Sequence, residues 1–217
     1  MDNQFQAVLF DMDGVLVNSE PHYWAEERVF YRELGVPLSD AQLQAMMGGS
    51  PTANTRKVLD WFPDLKIEHD ELTRMHEQML LRGLKQVHSL VDGVADWIER
   101  IRASGMKTAV ASSSPLLLLD YARERFEFSR LFDTVVCSRD VAHAKPAPDI
   151  FLEAARRVGA EPTRCLVIED SQNGVNAARA ASMKVAAFTG ALAGSPAEGA
   201  DWTFPRFDKG WYRRIFG

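Results

Sequence analysis

Cysteine is scarce in this chain, with two among 217 residues. Cys137 and Cys165 could pair in principle. Each lies in an apolar stretch, however, Val135-Val136-Cys137 and Cys165-Leu166-Val167-Ile168, so both read as buried structural thiols. Long basic runs are also missing, and 25 basic against 30 acidic residues leave a net charge of −5, which makes a nucleic-acid backbone a poor partner. No apolar run approaches the length of a membrane span, and Met1-Asp2-Asn3-Gln4-Phe5 is not a basic segment followed by a signal-length apolar region. A cytoplasmic protein engaging neither nucleic acid nor membrane is the resulting expectation. What the chain does have is apolar residues, at 46%, enough for one large core or for a core domain carrying a smaller one, so an ordered chain is the expectation.

With no internal repeat or low-complexity block to use, organisation rests on where the apolar period changes. Short apolar runs end at polar residues: Ala7-Val8-Leu9-Phe10 before Asp11, Thr108 to Ala111 before Ser112, Val135 to Cys137 before Ser138, Leu166 to Ile168 before Glu169. Val185 to Phe188 adds a fifth. Between them Val94, Trp97, Ile98 and Ile101, and likewise Phe151, Ala154, Ala155 and Val158, keep helical spacing, with Gly105 and Gly159 as stops. The alternation predicts a parallel sheet covered by helices on both faces, with ligands beyond the carboxyl ends of the strands. Residues from about Asn18 to Ser89 interrupt it with helical patterns alone. The expected helices there run from Pro21 to Leu34, from the Ser50-Pro51 start, and from Ile67 to Gln86. A helical insertion directly after the first strand would be able to cover whatever binds at that strand's end.

The densest chemistry is Asp11-Met12-Asp13-Gly14. Two carboxylates at a strand end are costly unless something positive joins them. A helix-loop-helix calcium site would need an oxygen ligand at Val15 and a glycine at Leu16, so that reading fails. The pattern suits a carboxylate nucleophile with a second carboxyl group, two residues on, as general acid and base. A plain polar strand end is the alternative. Glu169-Asp170 forms a second strand-end acidic pair, before Ser171-Gln172-Asn173-Gly174 opening a helix. Helix capping explains it alone, but beside Asp11 and Asp13 it favours a hard cation held by oxygen, best Mg²⁺, while no His/Cys spacing suggests zinc. Ser112-Ser113-Ser114 and Lys145 are each weak signals, a cap and a surface lysine. In the order nucleophile, hydroxyl, lysine, acidic pair they supply what phosphoryl transfer needs.

Taken together these motifs resemble the haloacid dehalogenase-like superfamily, and within it the group of beta-phosphoglucomutases and sugar-phosphate phosphatases. The resemblance spans nearly the whole chain: Phe10-Asp11-Met12-Asp13-Gly14-Val15, the helical segment after Asn18-Ser19-Glu20-Pro21, Ala111-Ser112-Ser113-Ser114, Lys145-Pro146-Ala147-Pro148-Asp149-Ile150-Phe151 and Glu169-Asp170-Ser171-Gln172-Asn173-Gly174. It implies an α/β fold, a Rossmann-like parallel-sheet core of residues 1–17 and 90–217 with an inserted all-helical cap domain, residues 18–89. It further implies Asp11 as nucleophile and metal ligand, and Asp13 as acid/base whose main-chain carbonyl also binds metal. Asp170, with Glu169 beside it, would complete the ligands of Mg²⁺. Ser112 and the Ser113 amide would hold phosphoryl oxygens, and Lys145 would neutralise charge. The partner implied is a small phosphorylated metabolite, the reaction hydrolysis of a phosphomonoester, and the assembly a monomer or weak dimer. The aromatic stretch after Gly194, with Trp202, Phe204, Phe207, Trp211, Tyr212 and Phe216, departs from the family pattern and is expected to dock against the core.

Three other readings share parts of this set. A phosphorylated receiver module carries its acidic pair before the phosphorylated Asp and has no helical insert. A true dehalogenase needs neither Mg²⁺ nor an acid two residues after the nucleophile. A phosphomutase shares the whole core machinery. The resembling mutases carry an Arg after Gly-x-Ser in the cap and a His early in its first helix. Here Gly48-Gly49-Ser50-Pro51 places proline at the first position and Tyr23 stands at the second, although His22 and Arg56 are near.

Overall fold

The computed structural model describes residues 4–46, 49–190 and 197–217. Six strands form one all-parallel sheet among them: β1 (Ala7–Phe10), β2 (Lys107–Ser112), β3 (Thr134–Cys137), β4 (Cys165–Glu169), β5 (Lys184–Phe188) and β6 (Trp202–Phe204), in the order β3-β2-β1-β4-β5-β6. The first four residues of the sheet, Ala7, Val8, Leu9 and Phe10, are all fully buried. That is why they read as a continuous apolar run: in a sheet covered on both faces, alternate residues have no solvent side. β1 pairs with β2 on one side and β4 on the other, so the chain reverses its direction of travel across the sheet at the β1/β4 seam. Carboxyl ends at such a reversal splay their loops apart and leave a crevice.

The chain divides into two compact units, Met1–Asn18 with Ser89–Gly217, and Ser19–His88. The first holds the sheet and α5 to α10, introduced below; the second is helical, with α1 (Glu20–Glu33), α2 (Asp40–Met46), α3 (Pro51–Trp61) and α4 (His69–Leu84). Pro21 lies in the first turn of α1, and at α3 Ser50 caps the helix by accepting from the Ala53 amide at 3.2 Å, with Pro51 opening it. α4 starts two residues later and ends two earlier than its apolar spacing predicts. α2, only seven residues with Leu43 and Met46 buried, is too short to impose a visible period.

In the sheet unit, α5 (Val94–Ala103) buries Val94, Trp97, Ile98 and Ile101. α6 (Leu116–Arg125) and α7 (Phe128–Leu131) follow β2. α8 (Asp149–Val158) buries Phe151, Ala154 and Ala155 and stops at Gly159, and α9 (Gln172–Ala180) follows β4. The aromatic C-terminus becomes structure that periodicity did not predict, namely β6 and α10 (Lys209–Phe216). Phe204 is fully buried and stacks on Trp97, with centroids 5.2 Å apart and planes 9° apart; Phe207 meets Trp97 edge-on at 4.9 Å. Trp202, Trp211, Tyr212 and Phe216 remain half-exposed. Gly48, Gly194 and the first three residues lie outside the described residues. Cys137 and Cys165 are both free and buried. Among the described residues, no helix is long and apolar enough to cross a membrane.

Candidate active site

The backbone of Asp11 continues the sheet for one residue, its amide donating to the Ile168 carbonyl at 3.0 Å, so its carboxylate emerges at the β1/β4 seam. The next residues turn sharply: the Leu16 and Val17 amides both donate to the Met12 carbonyl, at 2.9 and 3.0 Å. Gly14 makes that turn possible at φ +81°, and it meets a second demand. A Cβ placed there would stand 1.9 Å from Asp170 Oδ2. The carboxylate at the end of β4 therefore packs directly onto the backbone of the Asp11–Gly14 turn, although some 150 residues separate them in sequence.

Lys145 joins the two strand ends. Its side chain is only 6% exposed, and its Nζ donates to Asp11 Oδ1, to Glu169 Oε1 at 2.7 Å and to the Ala111 carbonyl at 3.0 Å, using all three ammonium protons. The Phe151 ring lies beneath it, 4.8 Å from Nζ to centroid. Burial pulls the Lys145 ammonium down, but the charges of Asp11 and Glu169 outweigh it and hold the group above the ordinary lysine value. For Asp11 the balance goes the other way. Burial pushes its carboxyl up, Lys145 pulls it back, and Glu169 and Asp13 push it up again. An ammonium set between two carboxylates stays charged.

Glu169 is 1% exposed and spends both oxygens within the protein. While Oε1 takes the lysine, Oε2 accepts from the Asp170 and Ser171 amides, each at 2.9 Å, and from the Ser171 hydroxyl at 3.0 Å. Ser171 also caps α9, its Oγ accepting from the Gly174 amide at 3.0 Å. Gly174 is glycine for a packing reason: a Cβ there would fall 1.7 Å from Glu169 Oε1.

At the end of β2, Ser112 is 1% exposed and its Oγ accepts from the Ser114 amide at 3.1 Å. The Ser113 hydroxyl is buried with no protein partner. Ser114 turns back toward β1, where its hydroxyl donates to Asp13 Oδ2. Asp11, Asp13, Ser112, Lys145, Glu169 and Asp170 thus come from three adjacent strand ends and one loop into a single connected set. Ser114 was passed over in the sequence, where a third serine before a helix looks like an ordinary cap; its contact with Asp13 crosses 101 positions and has no local signal.

The donor set suits a small hard cation. Asp11, Asp13, Glu169 and Asp170 bring four carboxylates against the single ammonium of Lys145, an excess of negative charge that is expensive when buried. Among the described residues no group of three or more His, Cys, Asp or Glu side chains is placed to hold a metal ion. Magnesium does not ask for such a cage: it prefers one or two carboxylates and keeps waters and substrate phosphate for the rest.

Comparison with known proteins shows the family. The model of the haloacid dehalogenase-like hydrolases matches residues 5–182. The chain is 32% identical over 187 residues to fructose-1-phosphate phosphatase YqaB of Escherichia coli, covering 84% of this chain and 96% of that one. It is 29% identical over 186 residues to hexitol phosphatase B of Escherichia coli, covering 83% and 82%. Its fold matches the structure of CbbY from Rhodobacter sphaeroides in complex with phosphate, with a TM-score of 0.80, 22% identity and coverage of 94% and 96%. The chain belongs to the haloacid dehalogenase-like hydrolase family. Within that family it is an enzyme of the phosphoric monoester hydrolase class.

Proposed function

We propose that the enzyme is a Mg²⁺-dependent phosphatase of a small sugar phosphate, working through a phosphorylated Asp11. The observation that carries the reading is the buried lysine bridging Asp11 and Glu169 at the seam of β1 and β4. A solvated lysine would pair with surface acids; one buried against a strand-end carboxylate sets opposite charge beside it and fixes where its oxygens point. The phosphatase names of the two Escherichia coli relatives support a sugar phosphate or related polyol phosphate as substrate.

In this reading Asp11 attacks phosphorus, the ester P–O bond breaks, and its electron pair leaves on the alcohol oxygen, which takes a proton from Asp13. Asp13, now a carboxylate, removes a proton from water. The water oxygen attacks phosphorus, the bond to Asp11 breaks, and inorganic phosphate and the original carboxylate are restored. Ser112 and the Ser113 amide hold phosphoryl oxygens, and the unpartnered Ser113 hydroxyl offers one further donor to them. Asp11, the main-chain carbonyl of Asp13 and Asp170 would hold Mg²⁺. Bound there, the metal supplies positive charge against the phosphoryl oxygens and the crowded carboxylates. Glu169, first grouped with the metal ligands, is reassigned to anchoring Lys145 and the start of α9, because both its oxygens are already committed. The helical unit is assigned the role of a substrate-selecting cap domain, and the enzyme is placed in the cytoplasm.

Hydrolysis is favoured over isomerisation. A mutase must grip the distal phosphate of a bisphosphate intermediate with a cation. Pro51 and Tyr23, at the positions where that grip would lie, are both buried and carry none, and the Arg56 guanidinium is engaged by His69 Nδ1 at 2.9 Å. Phosphorus NMR of beta-glucose 1-phosphate with glucose 1,6-bisphosphate primer tests the choice: inorganic phosphate is expected, and glucose 6-phosphate appearing much faster would replace the phosphatase by a mutase. Excess chelator should eliminate phosphate release from hexose phosphates. Mg²⁺ should restore it and Ca²⁺, with its looser shell, only poorly. Full turnover in chelator would sink the metal assignment.

A further inference from the structure

We infer that Ser114 is a positioning residue for proton transfer, holding the Asp13 carboxylate in the one orientation from which it can serve the leaving oxygen. The inference rests on the acid/base role given to Asp13. Asp13 is half-exposed, in contrast to Met12 and to Val15, Leu16 and Val17, which are fully buried. Packing therefore does not lock its side chain as it locks its neighbours, yet a general acid works only within hydrogen-bond reach of the atom it protonates. The Ser114 hydroxyl, donating to Oδ2 from the adjacent strand end, constrains that orientation.

Ser114 is itself placed by the group it works beside. Its amide donates to Ser112 Oγ at 3.1 Å, and Ser112 is buried at the last position of β2. Occupying one lone pair of that oxygen with an amide proton directs the serine's own O–H elsewhere, available to a phosphoryl oxygen. The tripeptide Ser112-Ser113-Ser114 thus ties the proposed phosphate-holding hydroxyl to the acid/base by two consecutive hydrogen bonds through one short turn. An ordinary helix cap would not need this. The helix that follows, α6, is preceded by Pro115 and receives no side-chain cap from Ser114.

Leaving-group dependence separates this role from a structural one. An alkyl oxygen, as in a hexose phosphate, needs its proton in the transition state, whereas p-nitrophenolate leaves without one. For Ser114→Ala, kcat/KM on the hexose phosphate should fall about tenfold further than on p-nitrophenyl phosphate, a tenfold change being about 1.4 kcal/mol of barrier. Ser114→Thr, which keeps the hydroxyl, should recover most of the difference. If Ser114→Ala does not fold, Ser114→Cys, similar in size and a weak donor, is measured in its place with the same expectation. Equal losses on both substrates, or no loss, would overturn the inference. Asp13→Asn run alongside distinguishes the two levels: if it discriminates strongly between the substrates while the Ser114 variants do not, the acid/base reading stands and the positioning role is wrong. If Asp13→Asn itself does not discriminate, the acid/base reading falls and takes this inference with it.

Discussion

In the sheet unit, a buried lysine sits between Asp11 and Glu169; in the helical unit, buried His76 meets buried Glu27 at 3.1 Å, joining α4 to α1. The first contact is complete, every ammonium proton having an acceptor and both Glu169 oxygens being used. The second is not: His76 Nδ1 and the nearby Tyr31 hydroxyl are buried with no protein partner. The sheet unit concentrates opposite charge where the strands end and loops leave a crevice, so its buried charges can meet a ligand. The helical pair lies beside the Phe30 and Tyr31 rings and ties two helices together. Burial of a hydrogen-bonded polar pair alone does not mark a site; an excess of one sign of charge at a topological seam does.

Asp11→Asn should give the largest contrast between the units. It removes the proposed nucleophile and should lower turnover by about 10³-fold or more, about 4 kcal/mol of barrier, with little change in folding. Steady-state phosphate release together with acid-quench trapping of the phospho-enzyme measures this, and activity within about tenfold of the parent would reject Asp11 as nucleophile.

Lys145→Met should damage both catalysis and stability, because it strands two buried carboxylates. Loss of one partner from such a pair costs about 3–5 kcal/mol, read as a lower denaturant midpoint. A loss below about 1 kcal/mol would mean that solvent already screens the cluster and that the contrast with the helical unit is overstated.

His76→Phe should act on stability alone, at about 1–3 kcal/mol, since Glu27 loses its donor, with kcat within about twofold of the parent. The double variant His76→Phe, Glu27→Leu should recover much of that loss, as apolar replacements of buried pairs often do. A large fall in kcat with unchanged unfolding would give the helical pair a catalytic part and erase the difference between the two units.

The smallest effects compare two helix caps. Ser50→Ala removes one bond to the Ala53 amide and should cost about 1 kcal/mol. Ser171→Ala removes the cap of α9 and a donor to Glu169 as well, and should cost more. Equal losses in thermal unfolding would show that the Ser171 hydroxyl adds nothing to the Glu169 anchor.

The sequence alone determined five of the strands, their polar ends and the helical interruption, because apolar period and strand-end punctuation are local properties of the chain. Asp11, Asp13, Lys145 and Asp170 stood out as candidates for the same reason, each standing in a short motif beside a strand or helix start. The tertiary structure decided what those residues touch. Lys145 and Asp11 are 134 positions apart, and nothing local says that one ammonium will use all its protons at two strand ends and a carbonyl. Nor does sequence position show that Glu169 is consumed by that lysine, that Ser114 reaches Asp13, or that Trp202–Phe204 pairs as a sixth strand under aromatic packing with Trp97. Side-chain partnership depends on where the sheet order puts the strand ends, and that order is fixed by long-range packing between segments whose own patterns are silent about it.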